Sequence, residues 1–195
     1  MENQFFIPIS GKIFAGKSTA IREMIDFFIN NDEIQISGYT QPSHFEDGDR
    51  NGYDLTVITN NRKLETYKFA RLGKKAKPGQ IPYIFEQNVF DLVLQTAKEI
   101  NCSSKPAIVF LDEIGRLETM MGKGHHQAIL QYLESFQNAS KVYLIVTYNE
   151  RRKDETMSYL SKLHVKEAAL HFEKSNETAN IGDFCNKILD EMNKQ

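Results

Sequence analysis

The chain has 195 residues, 41% of them hydrophobic and 26% charged, which is the make-up of one soluble globular domain or of one domain with an elaboration. Its 24 Lys and Arg nearly balance 26 Asp and Glu, and the formal net charge of −2 argues against a bulk nucleic-acid binder, which would usually be basic. Two cysteines, Cys102 and Cys185, are too few for a disulfide framework and lack metal-ligand spacing, so two reduced thiols in a cytoplasmic protein are expected.

Met1-Glu2-Asn3-Gln4 carries no basic n-region of a signal peptide. Phe5 to Ile9 is a short apolar run that reads as a buried strand ending at Gly11. Ile21, Met24, Ile25 and Phe28 follow at helical spacing and predict a helix over 18–30. A second strand is expected over 33–40, then a polar, glycine-containing loop over 44–52. The runs 53–59 and 64–71 flank Asn60-Asn61-Arg62-Lys63 and predict a β-hairpin. Lysines, glycines and prolines over 73–82, among them Lys74, Lys75 and Lys77, read as a basic loop, either a lid or a solvated linker.

A helix is expected over 84–100, with Phe85, Val89, Leu92, Val93 and Ala97 on one face. Ala107 to Leu111 and Val142 to Val146 are unbroken apolar runs, as in strands buried on both faces of a parallel sheet. Helices are expected over 124–137 and 151–163, a last strand over 164–172 and a closing helix over 178–192. Strands separated by long helical stretches imply βαβ crossovers and an α/β fold. No apolar stretch approaches the roughly 18 residues of a membrane span.

Gly11-Lys12-Ile13-Phe14-Ala15-Gly16-Lys17-Ser18 fits G-x-x-x-x-G-K-[ST], between a predicted strand and a predicted helix. Such a loop turns its backbone N–H groups onto a β-phosphate, and the helix N-terminus adds unpaired donors and its dipole. The whole stretch Gly11, Lys12, Ile13, Phe14, Ala15, Gly16, Lys17, Ser18 and Thr19 is therefore the candidate nucleotide-binding segment. Lys17 would reach the β- and γ-phosphates, Ser18 Oγ would ligate Mg²⁺, and Thr19 could bond the α-phosphate. Lys12 is either a further phosphate contact or a solvated lysine.

The strand at Ala107 to Leu111 ends in Asp112-Glu113. Asp112 would hold the Mg²⁺ hydration shell. Glu113 would orient and deprotonate a water at the γ-phosphate, or else serve as a salt-bridge or capping acid. In Gly115-Arg116-Leu117-Glu118, Arg116 could stabilise transition-state charge or be a surface arginine. Glu118 could position Arg116 or the water. Thr147-Tyr148-Asn149 follows the second apolar strand, where a polar residue could sense the γ-phosphate or simply form an ordinary strand-end turn. Arg151 and Arg152 read as phosphate or subunit contacts, or as a solvated run. His125-His126 has no third partner for a metal site.

Four segments resemble a family of small P-loop nucleoside-triphosphatases that includes the cancer-related nucleoside-triphosphatases. They are Gly11 to Thr19, Ser37-Gly38-Tyr39-Thr40, Gly52-Tyr53-Asp54-Leu55, and Leu111-Asp112-Glu113-Ile114-Gly115-Arg116-Leu117-Glu118. The resemblance spans roughly residues 5 to 150. It implies one RecA-like domain over 1–195, with a mostly parallel sheet flanked by helices and an inserted hairpin near 53–71. It also implies Mg²⁺-dependent hydrolysis of ATP, GTP or other nucleoside triphosphates with loose base selectivity, and roles for Lys17, Ser18, Asp112 and Glu113. The chain departs from the family at Lys12-Ile13-Phe14-Ala15, where small residues are usual. Two other readings stay open: a P-loop kinase, in which a hydroxyl replaces water, and a slow nucleotide-dependent regulatory module.

Overall fold

Every second residue of the two apolar runs faces the opposite side of one sheet, which is why neither run alternates with polar residues. The computed structural model describes residues 3–11, 15–73, 82–173 and 180–194. Strands β1 (Gln4–Ser10), β2 (Gln35–Thr40), β7 (Ala107–Ile114) and β8 (Val142–Tyr148) form the centre of a ten-stranded sheet. Ile108 and Phe110 of β7 and Tyr143 and Ile145 of β8 pack on one face, with helices α1 (Lys17–Phe28) and α6 (Ile181–Asn193). Val109 and Leu111, with Leu144 and Val146, pack on the other, under α2 (Gln87–Lys98), α4 (His126–Ser135) and α5 (Lys153–Lys162).

The central strands run in the order β1-β8-β7-β2, all parallel. β8 thus lies between the strand that feeds the phosphate loop and the strand that carries the acidic pair. Beyond β2 the sheet turns antiparallel through β4 (Asp49–Ile58), β5 (Leu64–Leu72) and β6 (Tyr83–Phe85), with β3 (Ser43–Glu46) paired to β4. The expected hairpin is present as β4–β5. Its turn is pinned by Arg62, whose guanidinium donates to the carbonyls of Ile29 at 3.0 Å, Asn31 at 2.8 Å and Ile34. The Ile29 carbonyl is at the C-cap of α1 and the other two lie in the connection to β2, so one arginine ties the hairpin turn to the end of that helix.

Four boundaries differ from the sequence reading. Residues 44–52 are a second hairpin rather than a loop, because Asp47 (φ 52°) and Gly48 (φ 85°) make the two-residue turn that Asp-Gly favours between strands. The helix expected from 84 begins at Gln87, since Tyr83–Phe85 hydrogen-bonds to β5 as an edge strand. The strand expected over 164–172 is two short pieces, β9 (Lys166–Glu167) and β10 (Phe172–Glu173), both parallel to β1. A single turn of helix, α3 (Arg116–Thr119), was not anticipated. Lys74, Lys75 and Lys77 lie outside the described residues. Cys102 and Cys185 are both free thiols, and among the described residues no helix is long and apolar enough to cross a membrane.

Candidate functional site

The site is built where β1 ends and α1 begins. Lys12, Ile13 and Phe14 lie outside the described residues. Ala15 and Gly16 lead into the helix, and Gly16 sits in the left-handed region (φ 84°), where a side chain would be strained. The first turn of α1 contains no acidic residue and its N-cap makes no side-chain bond. Its N–H groups and positive dipole end therefore meet no competing carboxylate from their own helix. Lys17 Nζ donates to the Gly11 carbonyl at 3.0 Å, so its ammonium lies back across the loop. Gly16, Lys17, Ser18 and Thr19 line a cleft of about 500 Å³, together with Asp112, Glu113 and Thr147.

Asp112 is 1% exposed and held from three sides. Its Oδ2 accepts from Thr40 Oγ1 and from the Gln41 backbone N–H, both at 2.8 Å. Its Oδ1 accepts from Thr147 Oγ1 at 2.6 Å. A carboxylate offers about four acceptor positions, so one remains, and Asp112 is among the residues lining the cleft. That suits outer contact with a hydrated Mg²⁺, whose protein ligands are usually few and hard oxygens. Ser18 Oγ, on the same cleft, is such an oxygen. Among the described residues there is no cluster of three or more His, Cys, Asp or Glu for a fully protein-held ion.

Glu113 interrupts β7. The register with β8 shifts between Leu111 and Ile114, and Glu113 has φ 63°, a rare conformation for a residue with a Cβ. Thr147 holds it there: the Oγ1 that donates to Asp112 also accepts from the Glu113 N–H at 2.7 Å. A bulge of this kind re-aims a side chain, and the Glu113 carboxylate lies on the cleft wall. Burial among protein atoms and then the charge of Asp112 raise its pKa, while Arg50 and Lys17 draw it back. Thr147, a candidate γ-phosphate sensor in the sequence, thus organises the acidic pair.

Arg50 and Tyr53 were not singled out together by sequence reasoning. Both belong to β4 and both line the cleft. Arg50 donates to the hydroxyls of Tyr53 and, at 2.9 Å, Tyr83, and its guanidinium carbon lies 4.6 Å from the Tyr53 ring centroid. Burial works against the Arg50 charge, but its bond to Tyr83 and the fields of Tyr53 and Glu113 leave its pKa raised. The signal for its placement was the Asp47-Gly48 turn, which sets Arg50 on a strand returning toward the phosphate loop.

The segment after Glu113 borders a second cavity instead of the phosphate cleft. Glu118 is 5% exposed and accepts from the Gly115 and His125 N–H groups, both at 3.0 Å. It ties the turn together instead of pairing with Arg116. Burial lifts its pKa to about 6 against those two bonds. Gly124 (φ 63°) makes room for it, since a Cβ there would stand 2.2 Å from Glu118 Oε1. Arg116 is exposed and borders a second, aromatic cavity rather than the phosphate cleft. Arg152 borders that cavity too and pairs with Glu155 at 2.7 Å. Arg151 is exposed in the turn before α5. His125 is buried and neutral, its pKa pushed down to about 3 by burial, with its ring centroid 4.2 Å from that of Tyr39. His126 Nδ1 lies 2.8 Å from the Tyr159 hydroxyl.

Comparison with known proteins bears on this geometry. The structure superposes on a human cancer-related nucleoside triphosphatase with TM-score 0.64 and 17% identity, covering 98% of this chain and 97% of that one. It superposes on THEP1 from the hyperthermophile Aquifex aeolicus with TM-score 0.54 and 15% identity, covering 97% and 100%. Identities this low show a shared α/β P-loop fold. No curated protein matches the chain. The sequence pattern of the NTPase family matches residues 6–181, a span that contains the phosphate loop, the acidic pair and the bulge that aims Glu113, and the chain belongs to that family of nucleoside triphosphatases.

Proposed function

We propose that the chain hydrolyses nucleoside triphosphates, ATP and GTP among them, to diphosphate and phosphate in a Mg²⁺-dependent reaction with loose base selectivity, acting as one cytoplasmic domain over 1–195. One observation carries the reading: a bulged, hydroxyl-anchored Glu113 lies on the same cleft as Lys17, Ser18 and Asp112. Glu113 accepts a proton from water as that water attacks the γ-phosphorus in line with the leaving diphosphate oxygen. Lys17 and Arg50 offset the charge that develops on the phosphoryl oxygens, and Gly11 to Thr19 grip the phosphate chain. Bound Mg²⁺, held by Ser18 and through water by Asp112, would supply further charge neutralisation.

Phosphate release from a panel of nucleoside triphosphates with Mg²⁺ tests the reading. Glu113→Gln keeps nucleotide binding and loses about 10²–10⁴-fold in turnover, the range of a general base. Lys17→Ala loses binding and turnover together. Near-normal turnover in Glu113→Gln would refute the assignment.

A further inference from the structure

Across Glu113 from the phosphate cleft lies a second cavity of about 220 Å³. Its walls are Phe69, Tyr83, Phe85, Phe90, His125 and Leu117. The rings form a continuous cage: Phe69 meets Phe85 at 5.3 Å and Phe90 at 5.0 Å between centroids, and Phe90 meets His125 at 4.7 Å. Polar groups line it as well: Gln41, Glu113, Arg116, Glu118, Asn149 and Arg152. Gln41, Tyr53, Glu113 and Asn149 border both this cavity and the phosphate cleft, so the two spaces adjoin along these four residues.

We infer that this cavity binds a second substrate, a planar aromatic molecule of one or two rings bearing a hydroxyl, and that the hydroxyl receives the γ-phosphoryl group. The inference rests on the placement of the triphosphate and of Glu113 given above. Size limits the occupant. An apolar cavity of about 150 Å³ takes one benzene ring, so this one takes one or two rings and not a nucleotide. Wall chemistry selects it as well. Packed ring faces and edges favour a flat π-system, and Glu113, Arg116, Glu118 and Arg152 add charged groups to the lining that a polar substituent can meet. Position assigns its role. The phosphate loop orients the γ-phosphate toward the acidic pair, and the cavity shares Glu113 of that pair with the cleft.

In the transfer, the acceptor oxygen forms a bond to the γ-phosphorus. The bond from that phosphorus to the diphosphate oxygen breaks, and the hydroxyl proton passes to the Glu113 carboxylate. The products are a nucleoside diphosphate and a phosphate monoester. Water entering by the same path gives inorganic phosphate instead.

The chain contains no tryptophan, so 2-naphthalenemethanol can be followed by its own fluorescence. The full chain with Mg²⁺ and ATP is incubated with this probe. Binding is read by anisotropy, naphthylmethyl phosphate by mass spectrometry, and inorganic phosphate in parallel. The expected result is binding tighter than about 1 mM, reasonable for a ligand of roughly a dozen non-hydrogen atoms, together with ester formation at the expense of phosphate. Leu117→Trp, which fills the cavity, weakens binding about tenfold or more and removes the ester. Leu117→Ala, which enlarges it, keeps both. Absence of binding, binding indifferent to Leu117→Trp, or binding without ester overturns the inference. Phosphate release without probe separates the two readings. If it is present and sensitive to Glu113→Gln while the ester is missing, hydrolysis stands and the acceptor cavity falls. If it is absent while ester forms, the hydrolytic reading falls and the acceptor assignment holds.

Discussion

Thr147→Val removes one hydroxyl and keeps the side-chain shape. That hydroxyl donates to Asp112 at 2.6 Å and accepts from the Glu113 N–H at 2.7 Å, and Thr147 and Asp112 are each 1% exposed. A hydrogen bond to a charged group contributes about 1.5–3 kcal/mol, and a buried N–H left without an acceptor costs about 1–3 kcal/mol. The cleft admits water to the Glu113 side, so the combined loss falls near 3 kcal/mol, below the sum of the upper limits. For a chain of this size each kcal/mol moves the melting temperature by about 2–4 °C, which gives a drop of roughly 6–12 °C by calorimetry. Release of the φ 63° conformation at Glu113 also misplaces its carboxylate, and a misplacement near 1 Å costs on the order of 10²-fold in turnover. Thr147→Ser retains the hydroxyl and recovers most of both. A Val variant that melts within about 1 °C of wild type and turns over normally would show that Thr147 does not organise the acidic pair.

Three further predictions address other parts of the molecule. Arg50→Ala lowers kcat by about 10²-fold or more with little change in nucleotide affinity, and Arg50→Lys does not restore it, because an ammonium cannot reproduce the guanidinium's contact with the Tyr53 ring together with its bonds to the Tyr53 and Tyr83 hydroxyls; equal kcat in steady-state assays would remove Arg50 from the site. Glu118, whose pKa rises from an ordinary 4.5 to about 6, binds its proton more tightly folded than unfolded. Stability is therefore highest below pH 4.5 on its account and declines, by about 2 kcal/mol, as pH climbs through 6; urea titrations across that window lose this slope in Glu118→Gln. The same variant places an NH₂ against one of two N–H groups and melts lower at every pH in the window. Gly38→Ala brings a Cβ within 2.1 Å of the Phe110 carbonyl, at φ 112°, so β2 and β7 must part; destabilisation of about 3 kcal/mol or more, or loss of soluble protein, is the expected outcome of thermal melts and expression trials.

Much of the phosphate-binding half was legible because its chemistry is local. The run from Gly11 to Ser18 lies between a strand and a helix, so spacing along the chain is enough to place a glycine turn, an ammonium and a hydroxyl at one helix end. The same holds for the apolar run that ends in Asp112-Glu113. The hairpin at 53–71 and the helix expected over 18–30 were visible through their periods. Residues 44–52 were misread because polar, glycine-containing stretches look alike whether they are loops or exposed hairpins, and only pairing with β4 distinguishes them.

The sequence by itself determined the inventory: a phosphate loop, two carboxylates and an α/β alternation that brings strand ends together at one edge. Tertiary structure decided which groups serve which. Asp112 is held by Thr40, Gln41 and Thr147, three residues from two strands flanking β7 or their ends, and only the order β8-β7-β2 makes them neighbours. Arg50 reaches the cleft because β3 and β4 fold back over it. The aromatic cavity draws on β5, β6, α2 and the turn before α4, elements whose separation along the chain hides their meeting. Spacing along a backbone can specify one helix end, but the partners of a buried charge are chosen by the packing of strands far apart in sequence.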